Sequence, residues 1–172
     1  GASVRLVLGV ATVDPPYGVE TTRAASVDEL LAALELATRG CDALIMSAAV
    51  GDFRPSQTEP TKIRRDRGPL TIELVPTPDV LAALPGDFVR VAFAAEAEDH
   101  VAAAQAKLAR KQLDAIVVND IRGADRGFAA DTNAVTILAR DGRRSDVPLS
   151  SKEDVAAAVL AVVVDLLARR SP

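Results

Sequence analysis

The apolar positions along the chain follow two alternating rhythms. Residues 4–8 form a short aliphatic run of the kind strands use, and residues 19–22 form a second candidate strand. Between them residues 11–17, with Pro15 and Pro16, read as a loop. Ser26 opens a helix: Glu29 stands three residues on, which is capping-box spacing. Leu30, Leu31, Leu34 and Leu36 follow, and Gly40 ends the segment. Residues 43–47 are apolar without alternation, as expected of a strand covered on both faces. Residues 49–69 have no period and hold Pro55, Pro60 and Pro69, so they read as a long loop; such loops are usually functional or mobile.

Residues 70–75 alternate as a strand, and Pro78 suits the first position of a short helix reaching Leu84. Residues 89–95 are another buried strand, and Asp99 caps a helix to about Lys111. A strand at 115–118 precedes a second irregular stretch through Ala130. Residues 133–139 and 144–147 flank Asp141-Gly142, a hairpin signal, and Ser151 caps a last helix from Lys152 to about Arg169. Strand–helix alternation implies a mostly parallel sheet with right-handed crossovers, and the hairpin adds an antiparallel edge. The expectation is a Rossmann-like three-layer α/β fold, one nucleotide-binding domain over residues 1–172 without repeat or linker.

Composition narrows the chemistry. With 49% apolar residues but only 3% aromatics, the core must be aliphatic, and a base-stacking nucleic-acid surface is disfavoured. A net charge of −4 argues against coating nucleic acid, so bound anions must meet local cations. Cys41 is the only cysteine and His100 the only histidine, which excludes a disulfide framework and a multi-histidine zinc site. No apolar run reaches the ~18 residues of a membrane span, and a soluble cytoplasmic setting is the default expectation.

In open α/β sheets ligands lie beyond the carboxyl ends of the strands. The polar residues there are Asp52 and Arg54, Thr77 and Asp79, Glu96, and Asn119 with Asp120. Any one of these acids is more often a cap or turn residue than a ligand contact. Lys107 and Lys111 share a helix face, at a like-charge cost of roughly 0.2–0.5 kcal/mol. They read either as a solvated face whose stems cover apolar surface or as an anion clamp. The 62–67 run, Lys62-Ile63-Arg64-Arg65-Asp66-Arg67, is the densest positive patch and could join such a clamp. Cys41 reads as a small hydrophobe and His100 as an exposed first-turn residue. Neither G-x-G-x-x-G nor G-x-x-x-x-G-K-[ST] occurs.

Taken together, these stretches resemble one family. Ser47-Ala48-Ala49-Val50-Gly51-Asp52-Phe53-Arg54-Pro55 resembles A-A-V-A-D-[YFW]-R-P, and Lys62-Ile63-Arg64-Arg65 resembles K-I-K-K. Thr77-Pro78-Asp79-Val80-Leu81 is similar to N-P-D-I-L, and Ala92-Phe93-Ala94-Ala95-Glu96 to G-F-A-A-E-T. Lys107, Leu108, Lys111, Asp114 and Val117-Val118-Asn119-Asp120 follow K-L-x-x-K-x-x-D-x-I-V-A-N-D; Gly127, Phe128, Asp131 and Asn133 follow G-F-x-x-[DE]-x-N. Six collinear matches are far more specific than any one. The chain thereby resembles the phosphopantothenate–cysteine ligases, the synthetase half of a bifunctional bacterial coenzyme A enzyme.

The resemblance implies a reaction in which CTP activates 4′-phosphopantothenate to an acyl-cytidylate and L-cysteine displaces CMP. Such chemistry rests on positioning and cationic stabilisation, which fits a chain poor in nucleophiles. Carried over by position, Met46, Ser47 and Ala48 would meet the nucleotide through backbone, with Asp52 near its magnesium-bound triphosphate or sugar. Lys62, Lys107 and Lys111 would contact the nucleotide as cations, and Pro78, Asp79, Val80 and Leu81 would form part of the base pocket. Phe93 would pack on the nucleotide, while Ala49 and Asn119 would sit by phosphopantothenate. The resemblance further implies Mg2+, no FMN in this piece, a mobile cover over residues 51–68, and a homodimer formed through the strands after that cover and the hairpin. It also implies a decarboxylase domain elsewhere in the full-length protein, and no nucleic-acid or membrane partner.

Departures are Gly51 for Ala, Arg64 and Arg65 for Lys, Thr77 for Asn and Ala97 for Thr. The family's leading strand, glycine-rich turn and N-x-S-S-G segment, with its catalytic Asn, have no counterpart here; the chain reads as N-terminally truncated relative to the family. A non-catalytic Rossmann-type nucleotide or flavin module stays open beside the ligase, and an NAD-dependent reductase is disfavoured for want of G-x-G-x-x-G.

Overall fold

The computed structural model describes residues 1–172 apart from 12, 66–67, 97–99, 121–130 and 171–172. The elements run β1 (Arg5–Leu8), β2 (Glu20–Arg23), α1 (Val27–Ala37), β3 (Ala43–Met46), β4 (Phe53–Pro55), β5 (Leu74–Pro76) and α2 (Val80–Ala83). They continue with β6 (Val89–Glu96), α3 (His100–Arg110), β7 (Ala115–Asp120), β8 (Thr132–Ala139), β9 (Arg144–Ser151) and α4 (Lys152–Arg170). Where length suggests one domain, packing gathers the chain into two compact units: Gly1–Leu34 with Ala49–Leu84, and Glu35–Ala48 with Pro85–Pro172.

The first unit holds two small sheets. β1 and β2 pair in parallel, extended by a bond from the Ala24 N–H to the Leu8 carbonyl at 2.9 Å. α1 starts as its capping box requires, with Ser26 Oγ accepting the Glu29 N–H at 3.2 Å. Glu29 reaches back one residue further than the motif, accepting from the Ala25 N–H at 2.7 Å. The 49–69 stretch is not all loop: β4 lies within it and pairs antiparallel with β5. The strand expected at 70–75 is correspondingly confined to Leu74–Pro76. α2 begins at Val80 with Asp79 as its N-cap, so Pro78 stands before the helix rather than at its first turn.

The second unit carries a five-stranded sheet in the order β3-β6-β7-β8-β9. β3, β6 and β7 are parallel, and β8 and β9 return antiparallel. Strand and helix periodicities meet in its core. Every second residue of three strands faces one way: Val89 and Val91, Ala115 and Val117, Val135 and Ile137. Val155, Val159 and Val163 of α4, four apart, cover them. The other face of β6 and β7 buries Ala92, Ala94, Ile116 and Val118, and α3 lies against β7 with Ala104 and Leu108 buried. With both faces covered, β6 and β7 carry no polar alternation, as residues 89–95 and 115–118 foretell; β3, at the sheet edge, departs from the buried strand expected at 43–47, since its Ile45 is exposed. This is the Rossmann-like α/β arrangement expected, a mostly parallel sheet with an antiparallel hairpin. The expected Asp99 cap and the irregular stretch before Ala130 lie outside the described residues, apart from the 119–120 end of β7.

The hairpin turns through residues 140–143 between β8 and β9, where Asp141-Gly142 signalled it. Gly142 takes φ +88°, its N–H bonds the Ala139 carbonyl at 3.0 Å, and the Ala139 N–H bonds the Arg143 carbonyl at 2.9 Å. Arg143 bridges Asp141 at 2.7 Å and also binds Asp165 of α4. Hydrogen bonding from Arg143, the largest influence on each, holds the Asp165 and Asp141 carboxyls below the usual range. Arg144 does the same for Asp146.

A buried acid ties the amino end of this sheet. Asp114, just before β7, accepts the Arg90 N–H at 2.8 Å. Arg170 approaches it at 3.4 Å and Arg140 at 3.8 Å. Arg140 in turn donates to the Leu113 carbonyl at 2.8 Å and to that of Gln112. One carboxylate thus joins the start of β6, the end of β8 and the end of α4.

Asp114→Ala strands a backbone donor and removes a charged partner, so it should cost about 2–3 kcal/mol in urea unfolding. Asp114→Asn, which keeps one acceptor, should cost less. The lowered carboxylates give a second expectation. Their folded values lie below the unfolded ones, so their contribution is complete at neutral pH and fades as pH falls below about 4. The destabilisation by Arg143→Ala should therefore shrink between pH 7 and pH 2.5 in thermal melts, and shrink again in 1 M salt, as about a 3 Å screening length requires.

Candidate functional site

Ligands of open α/β sheets collect where parallel strands end. In the second unit β3 ends at Met46, β6 at Glu96 and β7 at Asp120. The register sets Met46 beside Ala92 and Ala92 beside Ile116, so β3 stops four residues short of the β6 end, while β6 and β7 end side by side at Glu96 and Asp120. Met46 is buried, and contact there would fall to its backbone; Ser47 and Ala48 are exposed. Phe93 is partly buried against the α4-facing core, so its ring belongs to the core's packing.

Asn119 differs from every other described residue at these strand ends. Its Oδ1 is fully buried and has no hydrogen-bond partner. Leaving a buried acceptor unmade costs about 1–3 kcal/mol, so such an atom needs an explanation. An acceptor held ready for a ligand's N–H or O–H supplies one.

Lys107 and Lys111 stand elsewhere. α3 runs back against the strands and closes in a Schellman turn: Leu113 N–H bonds the Leu108 carbonyl at 3.0 Å, and Gln112 N–H that of Ala109 at 3.2 Å. Gln112 adopts φ +52° to make this turn. Both lysines are half-buried, and the Lys111 N–H bonds the Lys107 carbonyl at 2.9 Å. They lie at the end of α3 that leads into β7, whereas Asn119 is near the other end of that strand. The four steps from Ala115 to Asn119 span about 13 Å at strand rise. The structure does not bring the pair and the amide together.

The first unit carries the other candidates. Ala49, Asp52, Lys62, Pro78 and Asp79 are exposed, while Val80 and Leu81 are buried. The side chains of Val80 and Leu81 therefore serve the core, and a base could meet this stretch only through its backbone. Asp79 has a structural duty, its carboxylate accepting the Ala82 N–H at 3.3 Å. Lys62 lines an open hollow of about 770 Å³ with Ile63, Arg64, Arg65, Gly68 and Leu70. Arg54 is held by Asp28 of α1 at 2.7 Å, a pairing that the acidic first turn of α1 could have signalled. Thr77 Oγ1 donates to the Gly51 carbonyl at 2.6 Å, and its N–H to that of Asp52 at 2.9 Å. Among the described residues no group of three or more His, Cys, Asp or Glu side chains is placed to hold a metal ion.

A mostly parallel sheet with an antiparallel hairpin, and with the unpartnered Oδ1 of Asn119 near the end of β7, is a Rossmann-like α/β arrangement. The chain belongs to the family described as DNA/pantothenate metabolism flavoprotein C-terminal domain, whose model matches residues 1–167. It is 37% identical over 170 residues to the coenzyme A biosynthesis bifunctional protein CoaBC of Bacillus subtilis (strain 168), covering 96% of this chain and 42% of that protein. The chain thus spans less than half the length of that relative. The crystal structure of a CoaBC C-terminal domain superposes with a TM-score of 0.78 at 31% identity, over 98% of this chain and 78% of the other. A Cab2 mutant in complex with phosphopantothenate-cysteine shares the fold, with a TM-score of 0.68 at 17% identity over 90% and 56%.

The strained turn after α3 carries its own test. Gln112→Gly relieves a left-handed conformation that costs a side-chain-bearing residue about 1 kcal/mol. It should raise unfolding stability by about 0.5–1 kcal/mol in urea titration; a loss would show that the Gln112 side chain matters more than its backbone.

Proposed function

We propose that the chain is the ligase part of a coenzyme A biosynthesis enzyme, joining 4′-phosphopantothenate to L-cysteine at the expense of CTP. The buried, unpartnered Oδ1 of Asn119 carries this reading. Phosphopantothenate offers hydroxyl and amide N–H donors that such an acceptor needs. Family membership, the similarity to CoaBC, and the likeness to a fold whose solved complex holds phosphopantothenate-cysteine support the same substrate.

The chemistry balances without a protein nucleophile. A carboxylate oxygen of phosphopantothenate attacks the α-phosphorus of CTP, and pyrophosphate leaves. The cysteine amine then attacks the acyl carbon, loses a proton, and CMP departs with the bonding pair. Negative charge gathers on phosphates in the first step, and positioned cations lower that barrier. We assign this part to Lys62, Lys107 and Lys111. The backbone at Met46, Ser47, Ala48 and the 78–81 stretch holds the nucleotide, with Ala49 and Asn119 toward phosphopantothenate. Mg2+ neutralises triphosphate charge when bound; Asp52 offers one carboxylate, which suits an ion held mainly by phosphates. The chain requires no FMN for this reaction, and we read the working protein as a cytoplasmic homodimer.

Calorimetric titration with CTP, ATP and NAD, each with Mg2+, separates the readings. CTP should bind, and Lys62→Ala or Lys107→Ala should weaken it about tenfold or more, 1.4 kcal/mol or above. Binding of NAD without CTP refutes the ligase. Pyrophosphate release should require phosphopantothenate, with CMP release requiring cysteine as well. Nucleotide binding without phosphopantothenate binding would favour a non-catalytic module. Asn119→Leu should weaken phosphopantothenate binding about tenfold, yet leave the melting midpoint unchanged or higher because it removes an unmade hydrogen bond.

A further inference from the structure

We infer that Thr77 is a positioning residue that fixes how Gly51 and Asp52 are presented to the nucleotide; the inference rests on the nucleotide reading above. The local sequence leaves Thr77 few alternatives. Pro76 and Pro78 flank it and have no N–H, so Thr77 supplies the only backbone donor among residues 76–78. Pro78 confines Thr77 to extended backbone, and its β-branch restricts χ1. Both donors of this stiff residue are committed to one dipeptide: the hydroxyl to the Gly51 carbonyl at 2.6 Å, the N–H to the Asp52 carbonyl at 2.9 Å.

The consequence follows from peptide planarity. The described chain has no cis peptide bonds, and in a trans peptide the carbonyl and N–H point opposite ways. With the carbonyls of Gly51 and Asp52 turned to Thr77, the N–H groups of Asp52 and Phe53 face away from it. The Asp52 side chain leaves the chain between them. Beyond this clamp the ribbon is held by β4–β5 pairing and by Ser56, which bonds Glu73 through backbone at 2.9 Å and side chain at 3.1 Å. The ribbon survives without the Thr77 hydroxyl, whereas the orientation of the 51–52 peptide does not. This separates a positioning role from a merely structural one.

The test uses the 172-residue chain and three variants. Thr77→Val keeps the shape and removes the hydroxyl, Thr77→Ser keeps the hydroxyl, and Thr77→Ala serves as the hydroxyl-free variant should Thr77→Val not fold. CTP dissociation constants with Mg2+ are measured alongside those for phosphopantothenate and the melting midpoint. The expected result is a rise of about tenfold in the CTP constant of Thr77→Val. Thr77→Ser should stay within about twofold of wild type, with the phosphopantothenate constant and the midpoint nearly unmoved. Wild-type CTP affinity in Thr77→Val overturns the inference and leaves the ligase reading intact. So does a parallel rise of both constants with a falling midpoint, which marks a structural residue. A wild-type chain that binds no CTP ends the ligase reading itself, and this inference with it.

Discussion

Burial of β6 and β7 on both faces is the constraint from which the second unit's chemistry follows. A strand covered by α4-facing valines on one side and by α3 on the other can carry polar groups only at its ends. β7 shows the outcome. Asp114 precedes its first residue and is buried among the partners that satisfy it. Asn119 sits near its last residue and buries an oxygen that nothing satisfies. The two polar groups bracket a wholly apolar stretch, 115–118, in which a polar side chain would lose its water without gaining a partner. One end holds the sheet together, and the other is left with an acceptor to offer.

That asymmetry explains why much of the fold was legible in the sequence and much of the site was not. Continuous apolar runs and capping residues are local signals. Ser26, Ser151 and the aliphatic strands could be placed without knowing what lies across from them; Ser151 Oγ does accept the Asp154 N–H at 3.0 Å, as a cap should. The misplacements share a cause. β4 is three exposed residues ending in a proline, a strand only because β5 pairs with it. Pro78, expected at the first helical position, stands outside α2 because the Asp79 side chain caps the helix through Ala82, and no periodicity records that bond.

For the site, motif order singled out residues without revealing the structural duties some of them have. Asp114 stood in a ligand-like pattern with Lys107 and Lys111, yet its oxygens are taken by Arg90, Arg140 and Arg170. Arg54 stood in another and is held by Asp28. Val80 and Leu81 are core residues, and Phe93 packs with the core. A motif that serves folding and one that serves binding look alike in a string of letters; burial and occupied hydrogen bonds tell them apart. Thr77 shows the converse. It read as a departure from the family pattern, and only its two donated bonds reveal a working role.

The separation of Lys107 and Lys111 from Asn119 also bears on how charge can be used. The Schellman turn fixes the end of α3 against Leu113, which is wholly buried, so the lysine backbone cannot drift along β7 without unpacking that residue. Side chains of this length reach about 6 Å from Cα, short of the ~13 Å run of β7 between the two ends. The lysine backbone and the amide therefore lie toward opposite ends of β7. In the proposed reaction that placement suits action on different parts of an extended pair of substrates, the amide on a neutral hydrogen-bonding arm and the lysines on an anionic one. Lysine suits the second task, since a flexible, strongly hydrated point charge can follow a phosphate as its charge redistributes. An asparagine fixed between the β6 and β8 backbones suits the first, because its acceptor is already dehydrated before the substrate arrives.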